Sequence, residues 1–108
     1  MHDDDAVYES RAKILKAMAH PGRLRMLDGL QDGERCVCDL QALVGSDLST
    51  VSRHLSVLRA AGLVTSRRER NQIFYKLRVP CVLKMFSCVE AVLKADARAA
   101  RKMLERAS

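Results

Sequence analysis

The stretch that decides the fold is DLSTVSRHLSVLRAAGLVTSRRERNQIFYKL, residues 47–77. Leu48, Val51, Leu55 and Leu58 stand three, four and three apart, which is helical spacing. Asp47 or Ser49 opens this helix as its cap, and Gly62 closes it. After Gly62 the period changes. LVTSRR (63–68) and IFYKLRV (73–79) are short and rich in β-branched or aromatic residues. They read as two strands of a hairpin, joined by Glu69-Arg70-Asn71-Gln72, with Asn71 expected in the left-handed turn conformation.

Working outward, Val37, Leu40, Leu43 and Val44 predict a short helix ending at Gly45. Two helices across a tight turn make a helix-turn-helix, and a hairpin straight after makes it winged. The second helix of such a unit enters the major groove of DNA. A first helix is expected from about Tyr8 to Ala19, and a second from Pro21 to a close at Gly33. Pro80 opens a last helix running to about Arg106. On that helix Val82, Phe86, Val89, Leu93, Ala97, Ala100 and Leu104 repeat at helical spacing. A stripe that long has no cover within one small protomer. A homodimer through the first and last helices is expected. The fold class is therefore mainly α with a small β-hairpin: one winged helix-turn-helix domain spanning 1–108.

The face offered to DNA follows from the helical rotation of about 100° per residue. With Val51, Leu55 and Leu58 buried, Ser49, Ser52, Arg53 and Ser56 lie opposite, and Thr50 and His54 at the margins. Short hydroxyls let the helix backbone approach closely, and Arg can grip guanine bidentately. His54 is expected to pack at the edge of the core. The hairpin carries Arg67, Arg68, Arg70, Asn71 and Gln72, which suit phosphate contact or a narrow minor groove. The charge balance agrees: Lys and Arg number 19 against 13 Asp and Glu, which favours a polyanionic partner.

Other classes lack support. There is no apolar run of about 18 residues, so no membrane span is expected. MHDDDAVYES at the N-terminus is acidic and has no apolar segment, so it does not read as a secretory signal. A cytoplasmic location follows, where the four cysteines would stay thiols. No βαβ pattern, phosphate-cradling Gly loop or nucleophile triad suggests an enzyme, and no organic cofactor is expected.

Two of the cysteines, Cys36 and Cys38, stand in ERCVCDL, residues 34–40. Soft thiolates select soft or borderline ions, and a helix N-terminus favours the thiolate. On a regular helix residues two apart point about 200° from each other, so the pair cannot hold one ion there. The start of the third helix must be non-helical or must unwind.

Together, ERCVCDL, the 47–77 stretch and MAHPGRLRML (18–27) resemble the arsenic-resistance and metal-responsive repressor family, ArsR/SmtB, over roughly Ala17 to Leu77. The resemblance implies a dimeric winged-helix repressor on an imperfect inverted repeat, released when a metal or metalloid binds. It places Ser49, Ser52 and Arg53 against DNA. It makes ERCVCDL the metal box, with Cys36 and Cys38 as ligands and arsenite or antimonite, As(III) or Sb(III), as inducer. Cadmium, lead or zinc is the alternative, and a thiol-redox or persulfide response another. Arsenic-responsive members often carry a third cysteine where this chain has Gln41. Cadmium and lead sensors add cysteines from an N-terminal arm, which here offers only His2. Zinc and nickel sites use His on the last helix, which has none. Cys81 and Cys88, seven apart, share a face of that helix with Met85 and are expected to form a packed soft stripe beside the dimer seam; a second thiol site, or a third ligand for the first, is the functional reading. A Cys38–Cys88 switch is the other reading of the fourth thiol.

Overall fold

The computed structural model describes residues 3–107. Its elements are α1 (Asp3–Met18), α2 (Pro21–Gly29), β1 (Arg35–Cys36), α3 (Val37–Val44), α4 (Leu48–Ala60), β2 (Val64–Glu69), β3 (Gln72–Leu77), a 3-10 turn (Pro80–Leu83) and α5 (Lys84–Ala107). The expected helices and hairpin are all present, in the expected order. The differences lie at their ends.

Helix α1 starts five residues before Tyr8. The acidic start has no apolar period to reveal it, but Asp4 and Asp5 suit the positive end of a helix dipole. Helix α2 stops at Gly29, not Gly33. The N–H groups of Leu30, Gln31 and Gly33 each bond three residues back, so the chain winds tighter and leaves the α-helix early. The left-handed residue of the hairpin turn is Arg70, φ 57°, and not Asn71. Glu69 pairs with Gln72, so the turn has two residues, and its first takes the positive φ. Pro80 opens a 3-10 turn before α5 begins at Lys84.

One strand was not expected. Arg35 pairs with Tyr75 and Cys36 with Phe74, which makes the hairpin a three-stranded antiparallel sheet ordered β1-β3-β2. Two residues carry no readable period, and only the partner strand defines them. The Arg35 Nε also donates to the Gly29 carbonyl at 2.6 Å, tying β1 to the C-terminal end of α2.

The core gathers Met26, Leu27 and Leu30 of α2 and its exit, Leu40 of α3, Val51, Leu55 and Leu58 of α4, and Val64 of β2. Burying such a side chain contributes about 1.5–3 kcal/mol each. The helix-turn-helix angle is therefore held by apolar contact from both sides. Gly45, φ 75°, ends α3 in the left-handed region, with its N–H bonded to the Gln41 carbonyl at 2.8 Å.

By contrast α5 buries no residue. Val89, Val92, Leu93, Met103 and Leu104 are each more than half exposed, and Tyr8, Val7, Ile14 and Leu15 are exposed on α1. An apolar surface of that extent marks a contact site. No helix among the described residues is long and apolar enough to cross a membrane.

Candidate nucleic-acid interface and thiol cleft

Asp47 caps α4. Its carboxylate accepts the Thr50 N–H at 2.8 Å and the Ser49 hydroxyl at 3.2 Å. The Thr50 hydrogen bond, above all, holds that carboxyl below its ordinary range. Asp47 rather than Ser49 is thus the cap, which leaves Ser49 on the outer face. Ser49, Ser52, Arg53 and Ser56 are exposed, Thr50 is half-buried, and Val51, Leu55 and Leu58 are fully enclosed. The helix has the two faces that its spacing requires.

His54 is 9% exposed, and its Nδ1 is buried without a hydrogen-bond partner. Its ring lies 4.3 Å from that of His20, whose own Nδ1 accepts the Gly22 N–H and caps α2. Burial, with His20, Arg23 and Arg53 nearby, holds the His54 imidazole below its ordinary 6.5. The folded state therefore resists a proton that the unfolded chain accepts. Stability is full above 6.5 and declines as pH falls below it toward the folded-state value. We expect the thermal midpoint to fall on acidification through this window, and His54→Leu to flatten that slope. An unchanged slope in the variant would assign the acid loss to other groups.

The wing places its cations in two ways. Arg68, Arg70, Asn71 and Gln72 are exposed at and beside the turn. Among the described residues Arg68 and Arg70 make no ion pair. Arg67 is exposed but engaged along the sheet: its guanidinium meets Glu34 and Glu69 and covers the Phe74 ring, 4.7 Å from the centroid.

The thiols lie next to both α4 and the wing. Cys36 has extended backbone, φ −76° and ψ 160°, and caps α3 by accepting the Asp39 N–H on Sγ at 3.4 Å. Cys38 lies in the first turn of α3 and is exposed, whereas Cys36 is buried. Half of the geometric requirement is thus already met, since one of the two residues stands outside the helix. Both line a cleft of about 270 Å³ whose other walls include Leu48, Ser52 and Leu55 of α4 and Asn71, Gln72, Ile73 and Tyr75 of the wing. The thiols thus share one space with Ser52 of the outer face and with the wing turn.

As donors, the two sulfurs suit a soft ion at a two-thiolate site. Among the described residues no group of three or more His, Cys, Asp or Glu could hold a metal. His2 lies outside the described residues. Cys81 falls in the 3-10 turn and Cys88 in α5, so no single helical register joins them, and both are exposed in the single protomer. The sequence reading missed Glu34 and the cleft walls Ile73 and Tyr75. Tyr75 and Glu34 are brought in by the β1–β3 pairing, which leaves no mark in local spacing.

Residues 20–66 match the sequence profile described as "Bacterial regulatory protein, arsR family". The biofilm growth-associated repressor of Agrobacterium fabrum is 39% identical over 78% of this chain and 72% of its own. Among solved structures, a homodimeric winged helix-turn-helix DNA-binding domain from Mycobacterium bovis superposes with a TM-score of 0.75. It shows 32% identity and covers 92% of this chain and 93% of that one. The AntR antimony-specific transcriptional repressor superposes with a TM-score of 0.72, at 31% identity over 86% of this chain and 85% of its own.

Proposed function

The chain belongs to the arsR family of bacterial regulatory proteins, and from that premise we propose that it is a homodimeric, DNA-binding transcriptional repressor. It leaves its operator when arsenite or antimonite is held by Cys36 and Cys38. In this reading it acts in the cytoplasm on genes for metalloid resistance. Ser49, Thr50, Ser52, Arg53 and Ser56 of α4 meet one major groove, and Arg68, Arg70, Asn71 and Gln72 of the wing meet the adjacent backbone. The exposed faces of α1 and α5 pair two copies, which presents two α4 helices to an imperfect inverted repeat.

The observation that carries the inducer is the shared cleft. Cys36 and Cys38 would hold a trivalent metalloid as thiolates, and the ion supplies soft-acceptor bonding to sulfur. To bring both sulfurs onto one atom, Cys38 must leave the first helical turn, or Cys36 must give up the Asp39 N–H. Either movement disturbs the turn that borders Leu48, Ser52 and Leu55. It also pulls on Cys36, whose backbone is paired with Phe74 of the wing. One ligand then favours a conformation that the other disfavours, and the coupling is reciprocal. The likeness to an antimony-specific repressor supports a metalloid over a divalent metal.

The test is release from an operator duplex, first selected from random sequence, against arsenite, antimonite, cadmium, lead and zinc. Release by the first two at micromolar levels, without release by the others, is expected. Release by cadmium, lead or zinc alone would replace the metalloid with that ion.

A further inference from the structure

Beyond its backbone ladder, the outer half of the wing has little to hold it in place. From Arg67 to Ile73 every residue is exposed, and core packing ends at Val64 and Tyr75. At the level of Arg67 the fixing is ionic. The Arg67 Nε donates to Glu34 Oε2 at 2.7 Å and its Nη2 to Oε1 at 2.6 Å, a bidentate pair. Its Nη1 donates to Glu69 Oε2 at 2.7 Å. All three guanidinium nitrogens are engaged, and the plane covers Phe74, the residue directly opposite Arg67 in the sheet. Phe74 in turn pairs with Cys36, two residues past Glu34. The interaction therefore ties the middle of the hairpin, across β3, to the segment that enters β1.

Isolated surface ion pairs do little, but bidentate geometry within a network is the case in which they hold a conformation. Two carboxylates against one guanidinium leave the triad itself net negative, with Lys76 the further cation beside Glu34. That is the wrong sign for a phosphate contact. The remaining wing cations, Arg68 and Arg70, carry no such neighbours among the described residues.

We propose that Arg67 is a positioning residue: with Glu34 it holds the wing at the angle from which Arg68, Arg70, Asn71 and Gln72 reach the DNA backbone, and it makes no phosphate contact itself. The inference rests on the reading of α4 and the wing as the DNA-binding surface.

Operator affinity and its salt dependence, measured on the full dimeric chain with Glu34→Gln, Arg67→Gln, Arg67→Lys and the double Glu34→Gln/Arg67→Gln, test it. All four are exposed substitutions that leave the core untouched. Each phosphate contact steepens the slope of log affinity against log salt by about 0.9. The expected result is a similar several-fold loss in both Gln single variants, no further loss in the double, and an unchanged salt slope. Arg67→Lys fails as Arg67→Gln does, because an ammonium cannot reproduce the fork. On charge alone Glu34→Gln should tighten binding, so its weakening would be specific to a tie. A slope shallower by about 0.9 in Arg67→Gln, restored by Lys, would overturn the proposal and make Arg67 a phosphate contact. Unaltered affinity in all four would overturn it too. A wild-type chain that selected no duplex would overturn the DNA-binding reading and this inference with it.

Discussion

Replacing either sulfur of the pair with oxygen, Cys36→Ser or Cys38→Ser, is expected to leave operator binding near the wild-type level and to abolish its release by arsenite. The two variants should fold. A serine at position 36 keeps a cap, since its hydroxyl accepts the Asp39 N–H as the thiol does. Cys38 is exposed and contributes no packing that a serine would leave empty. What is lost is the soft donor, because a hydroxyl stays protonated and hard at neutral pH. Wild-type coupling between inducer and DNA should lie within about 1–3 kcal/mol, which is a loss of affinity of about 5- to 150-fold on loading. In either variant that factor should collapse to one. The sulfur-to-arsenic charge-transfer absorbance seen on titrating the wild type should vanish in parallel. Cys81→Ser and Cys88→Ser act as controls and should respond as wild type. A double variant lacking both Cys36 and Cys38 that still lets go of DNA with arsenite would sink the site.

The second large effect concerns the uncovered face of α5. Val89→Glu with Leu93→Glu places two carboxylates on a stripe where the wild-type side chains are 54% and 62% exposed in the single protomer. Neither residue packs against the domain core, so the fold should survive with an unchanged helical spectrum. If that stripe is the seam between copies, burying two charges per protomer there costs far more than the seam returns. Sedimentation should then report a monomer. The consequence for DNA is larger than any single contact can give. Two linked reading heads bind with an advantage of about 100- to 10,000-fold over one, and a monomer forfeits it. Retention of the dimer with both glutamates in place would move the interface off α5. A monomer that held the full operator affinity would show that a single α4 suffices.

The legibility of this chain divides along the distance over which each signal acts. Helix existence is local: Val51, Leu55 and Leu58 can be read as one buried stripe, and Ser49, Ser52, Arg53 and Ser56 as the opposite face, from rotation alone. The Cys-Val-Cys pair is legible for the same reason, because its chemistry and its incompatibility with a regular helix are properties of neighbours. Ends of elements were less so. The start of α1 in an acidic, apolar-free stretch and the tightening of the chain after Gly29 depend on dipole and hydrogen-bond effects that leave no period.

Three things needed the chain to close on itself. The two-residue strand β1 exists only because Tyr75 and Phe74 lie beside it. Pairing there carries Cys36 to the wing, and the cleft it helps to form sets both thiols against Ser52 and Leu55. Arg67, one of five polar residues assigned alike to the hairpin's DNA contacts, was set apart from the rest by Glu34, which stands 33 positions earlier in the chain. Composition and spacing therefore settle which surfaces this protein has, since burial patterns arise between residues a few positions apart. How those surfaces are joined is decided by hydrogen bonds and ion pairs between distant segments, whose partners become neighbours only when the sheet forms.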